Sequence, residues 1–265
     1  MISFTLALAL LIVGYVVYGG FMTRIVGIDE KRPTPAILNE DGVDFVPLPT
    51  WRIFLIQFLN IAGLGPIFGA IMGVVYGPAA FFWIVFGTIF AGATHDFLAA
   101  MMSLRMGGMS WPQMIGSQLG KKVQHTVIFL SALMLLVVVA VMAYNPADLM
   151  ANLTPKYLNS TFWVIVIFAY YIAATMFPID KLIGKIYPIF GGALLFMAAG
   201  ILIMIYVHGA DMPEIWSEFY NHSADPEKTP IFPMMFVSIA CGAISGFHAT
   251  QSPLMARCIR TERHG

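Results

Sequence analysis

Long apolar runs separated by short polar segments dominate the chain. A hydrocarbon core of about 30 Å needs roughly 20 apolar residues of helix. Seven stretches meet that length: Ile2–Gly20, Trp51–Tyr76, Pro78–Ser103, His125–Tyr144, Asn159–Phe177, Leu182–His208 and Ile231–Gln251. None shows the ~10-residue alternation of a membrane β-strand. The pattern therefore predicts an all-α integral membrane protein with about seven transmembrane helices. The first stretch lacks a basic leader and ends in Tyr18-Gly19-Gly20-Phe21 rather than a small-x-small cleavage site, so it reads as a retained helix. The loop 21–51 is rich in proline and reads as a connector, and the loop 104–124 has room for a short interfacial helix.

Composition agrees with burial in lipid: 59% of the residues are hydrophobic and 11% charged, with a mean hydropathy of +0.81. The 14 basic and 14 acidic residues cancel, which gives no global field for nucleic acid. Their placement is uneven. Twelve basic residues (Arg24, Lys31, Arg32, Arg52, Arg105, Lys121, Lys122, Lys181, Lys185, Arg257, Arg260 and Arg263) fall in segments on one side, and only Lys156 and Lys228 fall on the other. The excess marks the cytoplasmic side, so the N-terminus is expected outside and the C-terminus of the chain inside. The outer loop 209–230 is acidic. Cys241 and Cys258 are expected to be free thiols, and no Cys/His spacing suggests a metal, nor any motif a cofactor.

Two of the stretches carry helix breakers. The second contains Gly63, Gly65 and Pro66 near its middle, and Pro66 is expected to break and restart the helix. The seventh contains Gly242, Gly246 and Pro253 beside Ser245, His248, Thr250, Gln251 and Ser252, a polar density that would be costly against lipid. The two are five stretches apart, and an odd repeat length inverts the second copy across the membrane. Matched broken helices in inverted repeats point to a transporter's midplane site, where half-helix ends offer N–H groups to a carboxylate and carbonyls to a cation. Gly63, Gly65, Pro66, Gly242, Ser245, Gly246, His248, Thr250, Gln251 and Ser252 are thus the candidate substrate-binding residues. Close-packing glycines would explain either cluster taken singly.

Asp96 is the one acid well inside an expected span, with His95 before it. Steps of four give the ridges Gly87, Ala91, His95, Ala99 and Thr88, Gly92, Asp96, Ala100, which would place both ionisable groups on a small-residue face packed against other helices. A carboxyl at this depth is a functional candidate, as a proton carrier or cation ligand. Asp96, His95 and His248 are the candidate coupling residues.

The strings Gly63-Leu-Gly-Pro-Ile, Ala91-Gly-Ala-Thr-His-Asp-Phe and Cys241-Gly-Ala-Ile-Ser-Gly-Phe-His-Ala-Thr-Gln-Ser-Pro resemble those of the carbon starvation protein A family of bacterial inner-membrane transporters. The segment Gln57-Phe-Leu-Asn60 departs from that family's approach to the first motif. The resemblance implies uptake of peptides or pyruvate under nutrient starvation, coupled to protons; Na⁺ stays open as the coupling ion, because a site made of carbonyls leaves little trace in side chains. It also implies a LeuT-type fold of five-plus-five inverted repeats with one extra leading helix. On that scheme 2–20 is the leading helix, 51–208 the first repeat and 231–251 the first, broken helix of the second, all within one transmembrane domain, 1–265. Family members continue for further helices, so the chain is expected to be an N-terminal portion. The alternatives are a membrane-embedded enzyme using His95, Asp96 and His248 as acid–base groups, or a non-transporting fragment or sensory subunit.

Overall fold

The computed structural model describes residues 1–176, 179–209, 211–243 and 246–264, and all regular structure among them is helical. Helix α1 covers Ile2–Val26, α2 Pro35–Leu38, α3 Thr50–Ile61, α4 Leu64–Gly73, α5 Ala79–Phe86, α6 Thr94–Arg105, α7 Trp111–Leu119, α8 Lys121–Leu153, α9 Ser160–Met176, α10 Ile179–His208, α11 Phe236–Ala243 and α12 Gly246–Met255. Contacts divide the chain into two compact units, residues 111–190 and the remainder.

The expected span count changes. Among the described residues four helical runs are long and apolar enough to cross a membrane singly: Ile2–Val26, Ala79–Arg105, Lys121–Leu153 and Ile189–His208. The pair Thr50–Ile61 and Gly65–Tyr76, bent by 51°, makes a fifth if it is one span. Of the fifth stretch, Ser160–Met176 forms the 17 residues of α9, and its expected last residue, Phe177, lies outside the described residues. The described residues of the seventh form a π-helical turn at Ile231–Met235, α11 and α12. Conversely, α8 runs 33 residues and passes through Pro146, well beyond the expected His125–Tyr144. Lipid-compatible surface is plentiful: Phe129, Leu130, Leu136 and Val137 on α8 are all exposed.

In the unit of residues 111–190, α7 and α8 pack together, and α8 and α9 form a hairpin. The hairpin is pinned by Ser160 Oγ donating to Asp148 Oδ1 at 3.2 Å and Trp163 Nε1 donating to Thr154 Oγ1 at 3.1 Å.

The other unit holds two apolar cores at its opposite ends. One gathers Ile53 of α3, Met101 and Leu104 of α6, Met255 of α12, and Ala256 and Ile259 beyond it. The other gathers Tyr76, Ala79 and Ala80 around the α4–α5 turn with Met235 and Ile239. Two ion-pair networks lie at the same two ends. Glu214 accepts the N–H of Ser3 at 2.7 Å and that of Ile2 at 2.8 Å, and pairs with the N-terminal amine. The amine and the Ser3 hydroxyl hold this carboxyl at about 2. It caps a helix start that lacks a capping side chain of its own.

At the opposite end Glu262, 1% exposed, accepts from Arg32 Nη1 at 2.9 Å, Arg105 Nη2 at 3.2 Å and the Asp29 N–H at 3.0 Å. Burial pushes this carboxyl up, but the Asp29 N–H and the guanidiniums of Arg105 and Arg32 outweigh burial, so it lies below the ordinary glutamate value. Arg105 also donates to the Val26 and Gly27 carbonyls that close α1. Met1 thus meets Glu214 at one end of this unit, and Arg32 and Arg105 meet Glu262 at the other.

Candidate functional site

Between the two cores the helices carry the breakers and ionisable groups noted in the sequence. Helix α3 ends at Ile61, and Gly63 takes an extended conformation (φ −75°, ψ −175°) before α4 starts at Leu64. Pro66 occupies the third position of α4, where its missing N–H costs no intrahelical bond. The break thus precedes the proline. The Gly63, Gly65 and Pro66 positions are half-buried.

Helix α4 packs along α11, and α12 packs on both α6 and α3. A Cβ on Gly242 would stand 3.2 Å from Pro66 Cα and 3.4 Å from its carbonyl oxygen, and one on Gly73 would stand 3.0 Å from the Ile239 side chain. Pro66 with Gly242, then Gly73 with Ile239, is an antiparallel pairing at glycine distance. The second half of the broken stretch therefore lies along the first half of the seventh.

The third stretch brings in the acid. Helices α5 and α6 are joined by a π-helical turn, Gly87–Ala93, in an otherwise continuous run. The turn's hydrogen bonds span five residues, which shifts the steps of four, and of the two expected ridges Thr88 alone is exposed. Within the turn Gly87 and Gly92 are buried, five apart, while Thr88 is exposed. Beyond it Ala99 and Ala100 are buried. Trp83 lies over Gly87, where a Cβ would meet its ring at 3.2 Å.

His95 and Asp96 follow in the first turn of α6. His95 Nδ1 is 2.9 Å from Asp96 Oδ1, and His248 Nδ1 of α12 is 3.6 Å from Asp96 Oδ2. The first distance is a hydrogen bond; the second is too long for one but within ion-pair range. The Ile61 carbonyl, the last of α3, lies beside the His248 ring. The His248 side chain is 3% exposed, against 22% for Asp96 and 27% for His95. A single carboxyl thus faces two imidazoles from two helices, next to a helix end.

The arrangement can bind and pass a proton. With Asp96 ionised, His95 Nδ1–H donates to it. With Asp96 protonated, the carboxyl O–H can donate to a neutral imidazole, and a small approach of α12 would let His248 take that role.

Of the remaining candidates, Ser252 is buried and Thr250 and Gln251 are half-buried on α12. Gly246 is the first residue of α12, and Ser245 lies outside the described residues. Among the described residues no group of three or more His, Cys, Asp or Glu side chains has metal-site geometry.

Two groups were not singled out by sequence. Glu262 sits in a basic tail, and its partners are 157 and 230 residues away. Tyr18 donates or accepts at Thr94 Oγ1, 3.1 Å away. A lone hydroxyl in an apolar helix is the only signal that pointed to the latter.

The sequence profile described as "Carbon starvation protein CstA" matches residues 1–158 and 150–264. A Haemophilus influenzae protein named "Uncharacterized membrane protein" is 40% identical, over 100% of this chain and 84% of its own length. The "Peptide transporter CstA" of Campylobacter jejuni is 26% identical over 97% of the chain and 46% of its own length. The "Pyruvate/proton symporter BtsT" of Escherichia coli is 24% identical over 85% of the chain and 40% of its own length. The chain thus spans less than half the length of the two relatives named as transporters. No solved structure matches.

Proposed function

The chain belongs to the carbon starvation protein CstA family, and on that footing we propose that it serves a secondary active importer of a small carboxylate or short peptide, driven by protons. Its relatives' names, peptide transporter and pyruvate/proton symporter, support both the substrate class and the coupling ion. The observation that carries the reading is Asp96 held between His95 and His248, beside the end of α3 at the break.

In this reading the broken second stretch and the seventh hold the substrate. Gly63, Gly65, Pro66, Gly242, Ser245, Gly246, Thr250, Gln251 and Ser252 supply close backbone approach and polar groups, and a substrate carboxylate is met by half-helix N–H groups. Asp96, with His95 and His248, takes up the proton on one side of the membrane and gives it up on the other. A carboxyl alternating between neutral and charged forms in a low-dielectric site is suited to that task. The antiparallel pairing of α4 with α11 supports an inverted relation between the two stretches, and hence a LeuT-type repeat with α1 as the leading helix. The uneven placement of Lys and Arg supports an N-terminus outside, and the bacterial transporters among the relatives support a bacterial plasma membrane.

The test is uptake by purified protein in proteoliposomes given labelled pyruvate or a labelled dipeptide under an inward proton gradient. The labelled compound is expected to accumulate unchanged, and accumulation to collapse when an uncoupler dissipates the gradient. Conversion of the label to a new compound would instead favour a membrane enzyme. Accumulation driven by Na⁺ alone would reassign the coupling ion.

A further inference from the structure

The leading helix α1 stands against the element that aims the acid. Gly14 admits the Ile89 side chain so closely that a Cβ there would fall 2.3 Å from Ile89 Cδ1. One turn on, Tyr18 lies edge-on to Phe90, with ring centroids 4.9 Å apart at 78°, and its hydroxyl reaches Thr94 Oγ1 at 3.1 Å. Ile89 and Phe90 belong to the π-helical turn, and Thr94 is the first residue after it. So α1 touches the turn at two points and the residue after it at a third. The last is two residues before Asp96.

A π-helical turn places one extra residue in the helix and rotates everything beyond it relative to what precedes it. Its hydrogen bonds are individually poorer than α-helical ones, so it persists where packing holds it. Here the packing comes from Trp83 on its own helix and from Gly14 and Tyr18 on α1. A helical threonine otherwise bonds a carbonyl three or four residues back. In the π-helical turn that alternative would draw Thr94 toward the preceding residues and change the direction of the two side chains that follow. The hydroxyl pair is only partly accessible, in a medium poor in competing water.

We propose that Tyr18 is a positioning residue for the proton site, acting through Thr94 to fix the direction of His95 and Asp96; this rests on the coupling role proposed above for Asp96. The leading helix then does more than precede the core: it sets the register of the helix that bears the acid. Among the described residues, the titratable groups that face Asp96 are His95 on its own helix and His248 from α12, with the Tyr18 phenol arriving from α1 two residues away. Tyr18 alters proton affinity at Asp96 by setting its distance to the two imidazoles. Tyr15, one turn back on α1 and 83% exposed, provides a matched control on the open face.

The experiment measures the pH dependence of gradient-driven uptake in proteoliposomes for Tyr18→Phe, Thr94→Val, the double variant, Thr94→Ser, Tyr15→Phe and Asp96→Asn, each normalised to folded protein. Tyr18→Phe and Thr94→Val are each expected to move the pH midpoint in the same direction by about half a unit or more. The double variant should move it no further than either single one. Thr94→Ser, which keeps the hydroxyl, and Tyr15→Phe should retain the wild-type midpoint. If Asp96→Asn abolishes accumulation while Tyr18→Phe and Thr94→Val keep the wild-type midpoint, the coupling reading stands and Tyr18 merely packs. If Asp96→Asn retains full accumulation, the coupling reading falls and the positioning role falls with it. Should Tyr18→Phe fail to fold, the contrast between Thr94→Val and Thr94→Ser decides the matter, because equal midpoints in those two would overturn the proposal.

Discussion

Gly242 approaches Pro66 so closely that a single added carbon would stand 3.2 Å from the proline Cα. The obstacle is backbone, which cannot rotate away as a side-chain tip can. Gly242→Ala should therefore lower stability modestly. Gly242→Val, with two further carbons in the same gap, should cost about 2–3 kcal/mol as α4 and α11 are forced apart. Thermal unfolding of the two variants in one detergent checks the order, and a Val variant as stable as wild type would contradict the packing.

The buried carboxylate of Glu262 binds two ends together. Arg105 ends the helix whose first turn carries Asp96, and Glu262 follows the helix that carries His248. Glu262→Gln removes the negative charge between Arg32 and Arg105 and should destabilise the protein by about 1–3 kcal/mol, less than a fully buried pair because both arginines are partly exposed. The pH response has a definite sign. The folded carboxyl is lowered from the ordinary 4.5, so its contribution is complete above that value and is lost as pH falls through the folded value. Melting temperatures measured downward from pH 7 should fall more steeply in wild type than in Glu262→Gln.

At the opposite end Glu214 serves as a borrowed cap for α1. Glu214→Ala should free the Ile2 and Ser3 amides, and hydrogen exchange there should accelerate by about tenfold or more while the interior of α1 is unchanged. Blocking the α-amine should have a smaller effect in the same direction. Because the carboxyl is lowered from 4.5 to about 2, the cap is complete above pH 4.5 and is lost as pH falls toward 2. Unchanged exchange at Ile2 and Ser3 in the Ala variant would rule the cap out.

Much of this was legible in the chain because membrane helices leave strong signals. The interruption at Gly63 was readable from glycines and a proline inside an apolar run, and Asp96 from its depth. The pairing of Asp96 with His248 was not, since the two are 152 residues apart and periodicity relates residues only within one helix. The small-residue face through His95 and Asp96 was legible too, since Gly87, Gly92, Ala99 and Ala100 are buried, but the π-helical turn that interrupts the run was not, because it has no composition of its own. Among the described residues the apolar stretches give four long helical runs and a bent pair, because hydropathy counts residues and does not see a bend such as the one at Gly63. Glu262 went unnoticed because a single acid among three tail arginines looks like surface until Arg32 and Arg105 arrive from elsewhere.

The proposed coupling role falls on Asp96, held between His95 and His248. The most direct test compares wild type and Asp96→Asn in proteoliposomes, following labelled pyruvate or dipeptide under an imposed proton gradient and then in exchange without one. The variant keeps the shape of the side chain and cannot ionise. It should lose accumulation against the substrate gradient by at least tenfold, while gradient-independent exchange persists. Accumulation by Asp96→Asn at the wild-type level would contradict the claim.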